Sequence, residues 1–136
     1  MELNFLNRKK LVMVIDDTLI DQFVAERMIK LYGFSENVIV FDSGIKALEY
    51  FSRQDLLEED IPQVIFLDIR MPEMDGFEFL EEYANLSDEL KSKMKVVMLT
   101  SSLDKNDYDR GLKNPYVMHF LNKPLDEDQL TKLSHM

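Results

Sequence analysis

Residues 63–77 read QVIFLDIRMPEMDGF, and this stretch decides the fold. The four consecutive large apolar residues Val64–Leu67 have the length and the Val, Ile and Phe content of a strand covered on both faces. The run stops abruptly at a carboxylate, Asp68. A chain that aims a charged group out of the end of its core places that group at a rim, so the question becomes what else reaches the same rim.

Four further runs of the same kind occur, at Leu11–Ile15, Val38–Phe41, Val96–Leu99 and Val117–Leu121. Segments with helical spacing separate them. Ile20, Val24, Met28 and Leu31 recur at steps of four, four and three, which puts them on one face of a helix ended by Gly33; Thr18 and Asp21 have the capping-box spacing at its start. A second helix is predicted from Ser43 to about Arg53, burying Ala47, Leu48 and Phe51, and a third from near Phe77 with Leu80 and Ala84 on one face. The fourth, Lys105 to Leu112, is poor in apolar residues and carries Gly111, which costs about 1 kcal/mol relative to Ala. The last follows Pro124 and uses Leu125, Leu130 and Leu133. Strand and helix thus alternate five times, the pattern of an open, mostly parallel α/β sheet with helices on both sides. In such sheets ligands sit beyond the C-terminal ends of the strands.

Composition narrows the function. The 136 residues fit one domain, with 46% hydrophobic residues for a packed core. Sixteen Lys plus Arg against 26 Asp plus Glu give a net charge of −10, which argues against nucleic acid as a partner, since duplex binding depends on cations displacing phosphate counterions. The cluster Arg8, Lys9, Lys10 is expected to be a solvated lead-in. Without cysteine there is no disulfide framework and no thiolate metal site. No apolar run approaches the ~20 residues of a membrane span, and the start MELNFLNRKK lacks the order of a signal peptide. The expectation is a cytoplasmic protein with no membrane contact.

At the strand ends stand Asp16 and Asp17, then Asp68, then Thr100 and Ser101, then Asn122, Lys123 and Pro124. Singly, each has an ordinary explanation as a cap, turn or loop residue. Together they bring three carboxylates, a hydroxyl and an ammonium to one edge. Crowded carboxylates repel one another and raise their own pKa values unless a cation compensates. An all-oxygen, cysteine-free set suits Mg²⁺, or Mn²⁺ in its place, better than zinc. A carboxylate beside such an ion can attack phosphorus to give an acyl phosphate. Asp68, at the end of the central strand, is the candidate nucleophile; Asp16 and Asp17 would serve the metal, while Lys123 and Thr100 would neutralise and hydrogen-bond the phosphoryl oxygens.

The segments VIDDT (14–18), FLDIRMPEMDGFEFL (66–80), VVMLTSS (96–102) and FLNKPL (120–125) resemble the response-regulator receiver domains of two-component signalling. The resemblance spans essentially the whole chain, with a core of about 10–134, and implies a single receiver domain with no output domain. It implies a flavodoxin-like (βα)5 fold with a five-stranded parallel sheet in the order 2-1-3-4-5. Asp68 would take a phosphoryl group from a phosphohistidine on a sensor histidine kinase or a His-phosphotransfer protein, directly or as a shuttle in a phosphorelay. Asp17 and Asp68 would bind the metal directly with the backbone carbonyl of Arg70, and Asp16 through water. Thr100 and Lys123 match the phosphoryl-sensing pair and Phe120 the switch aromatic, while Arg70 and Ser102 hold the positions that tune phosphoryl lifetime. The Lys123–Pro124 bond would be cis, and Gly76 would supply backbone angles that other residues resist. The face of the fourth helix, fifth strand and fifth helix would meet a downstream protein, and a homodimer is open.

Several features lie outside that pattern. Residues 52–62, SRQDLLEEDIP, are longer and more acidic than usual and are expected to be a solvated loop. His119 is expected to be a half-buried strand residue, not a catalyst, and the nine methionines core filler. Three rivals remain in view. An aspartate-nucleophile phosphohydrolase needs a second acid two residues after the nucleophile, where this chain has Arg70. A flavin carrier needs a phosphate-friendly first loop, where this chain has Asp16 and Asp17. A receiver that never accepts phosphate would lack one of the required side chains, and all are present.

Overall fold

The computed structural model describes residues 8–136. Val64–Leu67 forms the central strand, β3, with β1 (Val12–Ile15) and β2 (Val38–Phe41) on one side and β4 (Lys95–Thr100) and β5 (Val117–Asn122) on the other. All neighbours pair in parallel and the order is β2-β1-β3-β4-β5, the flavodoxin-like order expected. The register aligns the C-terminal ends: Ile15 pairs with Phe41 and Leu67, and Leu67 with Met98. The next residues of β1 and β3, Asp16 and Asp68, therefore leave the sheet side by side, where the chain changes direction within the strand order.

Alternation along each strand feeds two cores, one per face. Met13, Ile15, Ile65 and Leu67 pack with Phe51 of helix α2 (Gly44–Phe51) and with Phe79, Leu80 and Tyr83 of α3 (Gly76–Tyr83). Val12, Val14, Val64 and Phe66 face the other way, toward Ala25 and Ile29 of α1 (Leu19–Leu31). The chain then adds α4 (Asp88–Ser92), α5 (Lys105–Lys113) and α6 (Glu127–Leu133). Leu125, Leu130 and Leu133 join the second core as expected. Side-chain caps stop the helices fraying: Ser43 accepts from Lys46 N–H, and Asp75 and Asp126 form capping boxes with Glu78 and Gln129.

The structure corrects several expectations. The buried positions of α1 are Ala25 and Ile29, while Ile20 and Leu31 are exposed; α1 has apolar residues on more than one side, and the small Ala25 is what lets it approach the sheet. Thr18 is the N-cap residue but makes no side-chain cap. The short α4 was not expected, so the fourth predicted helix is α5 here. Arg8 and Lys9 are anchored, with Arg8 pairing with Glu36 at 2.6 Å and the Lys9 ammonium donating to the Met136 carbonyl at 2.6 Å. His119 is exposed, because β5 is an edge strand. Residues 52–62 are largely exposed as expected, apart from a 3₁₀ turn at Glu58–Asp60 and the Glu58–Lys93 pair at 2.7 Å. Among the described residues no helix is long and apolar enough to cross a membrane.

Gly111 also has a different meaning. A Cβ there would lie 2.4 Å from Cδ2 of Phe120, so the glycine exists to let α5 close over that ring. Tyr108 completes the contact edge-on, with its ring centroid 5.1 Å from that of Phe120. Gly111→Ala should gain about 1 kcal/mol of helix propensity but lose about 1–3 kcal/mol to overpacking. A lower urea midpoint is expected; an unchanged or higher one would show that Phe120 moves aside freely.

Candidate functional site

The rim is built by short chain segments that leave buried strands. Asp16 and Asp68 are 3% and 6% exposed, whereas Asp17, one residue further into the loop, is exposed. Local hydrogen bonds fix both buried carboxylates: Asp16 Oδ1 accepts from Thr18 N–H at 2.9 Å, and Asp68 Oδ1 from Ile69 N–H at 2.8 Å. One carboxylate oxygen from each of Asp16, Asp17 and Asp68 lies within 4.8 Å of the others. The three carboxylates singled out in the sequence are thus together in space.

Lys123 arrives from the far side. Its N–H donates to the Thr100 carbonyl at 2.8 Å, and the Lys123–Pro124 peptide is cis, as the resemblance implied. The ammonium reaches Asp16 Oδ2 at 2.6 Å, Asp21 Oδ2 at 2.8 Å and Asp68 Oδ2 at 3.4 Å. Burial alone would lower the Lys123 pKa, but the hydrogen bonds to Asp16 and Asp21 and the charge of Asp68 raise it. Burial, with the charge of Asp16 next in size, pushes Asp68 up to about 6 against the pull of Lys123. Asp16 is also raised, again chiefly by burial, with Lys123 opposing. The pocket therefore holds more negative charge than its one ammonium balances.

Thr100 is 1% exposed, and its Oγ1 accepts from Ser102 N–H at 3.1 Å. Arg70, in the loop after Asp68, sends its guanidinium to Asp107 of α5. Phe120 is half-buried against α5. Gly76 does not have the left-handed angles expected of it. Its place is steric: a Cβ would lie 2.5 Å from the Asp68 carbonyl oxygen. The loop's positive φ, 68°, belongs to Glu73.

Reading the residues missed Asp21 and Asp107. Asp21 looked like a helix-start residue, yet it is the second carboxylate on Lys123. Its signal was the acid one helical turn beyond Asp17, on the side facing the rim. Asp107 is 4% exposed on a helix whose Leu112 is 55% exposed; the inward stripe Asp107–Gly111, spaced four apart, runs opposite to what hydrophobicity suggests.

A doubly wound sheet in this order, with an acidic rim at its switch point, defines the receiver type of flavodoxin-like fold. The chain belongs to the response regulator receiver domain family, whose model matches residues 12–135. It is 33% identical over 128 residues to the two-component response regulator ARR17 of Arabidopsis thaliana, covering 90% of this chain and 80% of that protein. The crystal structure of a response regulator receiver protein from Dyadobacter fermentans superposes with a TM-score of 0.79 at 29% identity, covering 90% of this chain and 93% of that one. The Mn²⁺-bound form of the response regulator Rcp1 superposes with a TM-score of 0.69 at 25% identity, covering 91% and 88%. Some relatives are far longer sensor histidine kinases, of which the match takes in only 14% or 7% of the length. The chain is a receiver of two-component signalling.

Proposed function

We propose that Asp68 accepts a phosphoryl group from a phosphohistidine of a sensor histidine kinase or His-phosphotransfer protein. The observation that carries this reading is the buried Asp68 carboxylate lying between an acid pair and Lys123. A carboxylate oxygen of Asp68 forms the P–O bond as the P–N bond to the donor imidazole breaks, and the imidazole leaves with the electron pair. Lys123 supplies positive charge to the phosphoryl oxygens and Thr100 a hydrogen bond to one of them. No turnover of a free substrate is involved.

The all-oxygen donor set fits a hard dication, Mg²⁺ or Mn²⁺. Asp17 and Asp68, with the backbone carbonyl of Arg70, would hold it directly and Asp16 through water. The commitment of Asp16 to Lys123 and to Thr18 N–H supports that division, as does the Mn²⁺-bound Rcp1 neighbour. When bound, the ion neutralises the non-bridging phosphoryl oxygens. Arg70 stands where an aspartate-nucleophile phosphohydrolase keeps its second acid, and its guanidinium is on Asp107, which disfavours that chemistry.

Phosphorylation would then shift the population between two forms of the face made by α5, β5 and α6. Thr100 drawn toward the phosphoryl group releases Ser102 N–H, and Phe120 follows into the space that opens. The readout meets a downstream protein or a second copy of the chain. The test is incubation with an acyl phosphate donor, with Mg²⁺ or with EDTA. Hydroxylamine-labile phosphate on the protein only with the metal is expected; none with either, or equal amounts in both, would overturn the reading.

Asp21 yields a separate prediction. It shares the ammonium that the phosphoryl group needs, so Asp21→Asn should leave uptake intact and speed it by about threefold. Uptake rates from acyl phosphate check this, and a drop beyond tenfold would mean that Asp21 is required to hold Lys123 in place.

A further inference from the structure

Asp107 is a buried carboxylate that the phosphoryl chemistry does not use. It projects inward from the first turn of α5, 4% exposed, and a charge so placed is tolerated only when hydrogen-bonded. Two donors satisfy it, the guanidinium of Arg70 and the hydroxyl of Ser102, the latter at 2.8 Å; both bind the same oxygen, Oδ2. Those two donors are the residues two positions beyond Asp68 and Thr100. Ser102 is further tied in on both sides. Its N–H donates to Thr100 Oγ1 at 3.1 Å, and its Oγ accepts from the N–H of Asp104, the N-cap of α5, at 3.2 Å. An unbroken chain of hydrogen bonds thus runs from the hydroxyl at the acceptor site to the start of a helix on the readout face.

We infer that Asp107 is a positioning residue for phosphoryl lifetime: it binds Arg70 and Ser102 together, keeps the guanidinium off the acceptor, and makes its release depend on where α5 sits. The inference rests on the reading of Asp68 as phosphoacceptor. Its physical basis is competition for one cation. Arg70 is attached two residues from Asp68, and its side chain, a flexible stem ending in the guanidinium, is 62% exposed. In the present arrangement its charge is taken up by Asp107. A phosphoryl group on Asp68 is a stronger anion with oxygens suited to the planar guanidinium. Freed from Asp107, Arg70 would pair with that group and shield it from water. A partner that draws α5 away from the rim would free Arg70 in the same way and so prolong the phosphorylated state.

The test follows loss of phosphate from full-length protein after the acyl phosphate donor has been removed, for wild type, Asp107→Asn, Arg70→Gln and the double variant. Asp107→Asn should lengthen the half-life about threefold to tenfold, and the double variant should return to the Arg70→Gln value, a non-additivity that a merely structural role would not produce. Arg70→Gln alone should not lengthen the half-life, because it removes the cation that Asp107→Asn would set free; this arm stands even if Asp107→Asn folds poorly. Lengthening that persists in the double variant, no lengthening in Asp107→Asn, or lengthening beyond about threefold in Arg70→Gln alone would overturn the inference. Wild type that takes up no phosphate would instead overturn the acceptor reading beneath it.

Discussion

Asp68→Asn is expected to abolish phosphoryl uptake and, at the same time, to stabilise the metal-free protein. The first effect follows from chemistry, because the amide offers no carboxylate nucleophile. The second follows from electrostatics. Burial, then the charge of Asp16, holds the Asp68 pKa at about 6, above its ordinary value of 3.8. A group raised on folding contributes stability that is fully present below the unfolded pKa and is lost as pH rises through the folded one. Above pH 6 the ionised carboxylate therefore works against the fold, by on the order of 2 kcal/mol. Asparagine keeps the shape and removes the charge, at the loss of a 3.4 Å contact with Lys123. Urea midpoints at pH 7.5 should rise in Asp68→Asn, and the gap to wild type should close toward pH 4. A variant less stable than wild type at pH 7.5, without metal, would contradict this account of the pocket.

Lys123→Met should have the opposite effect on stability and an equally severe one on function. Its removal leaves Asp16, Asp21 and Asp68 without the ammonium they share, and two of them have side chains only 5% and 7% exposed. Breaking a buried pair in this way costs about 3–5 kcal/mol. Asp16 and Asp68, already raised by burial, would have still higher pKa values in the folded state, so the lost stability should return as pH falls toward about 5. Added Mg²⁺ should restore part of it at pH 7.5, since a ligand that binds only the folded state stabilises it. Phosphoryl uptake should fall by about a hundredfold or more, as when a positioned donor to a transferring group is deleted. Denaturation at two pH values with and without Mg²⁺ checks all three; a destabilisation that ignores both would mean that Lys123 is a packing residue.

Much of this was legible in the residues, for reasons that can be named. Continuous runs such as Val64–Leu67 mark strands buried on both faces, and the polar residues after them mark the rim. The strand order was not legible from pattern alone and came with the resemblance in four motifs. What escaped was set by tertiary partners. The packed side of α1 turns on Ala25, whose small size matters more than its hydrophobicity, and Ile20 and Leu31 are apolar without being buried. The α4 turn is five residues with three charges, capped by Ser87, and has no apolar stripe to announce it. Gly111 read as a helix weakener until the Phe120 ring gave it a purpose. Asp21 and Asp107 are ordinary surface acids in sequence; only the ammonium and the guanidinium that meet them in space give them roles.

Peptide mapping by mass spectrometry of wild-type protein, phosphorylated by an acyl phosphate with Mg²⁺ and trapped by borohydride reduction, tests the central claim most directly. The account predicts one modified residue, Asp68, converted to homoserine in the peptide that follows β3. Modification at Asp16, Asp17 or any other carboxylate, with Asp68 untouched, would contradict it.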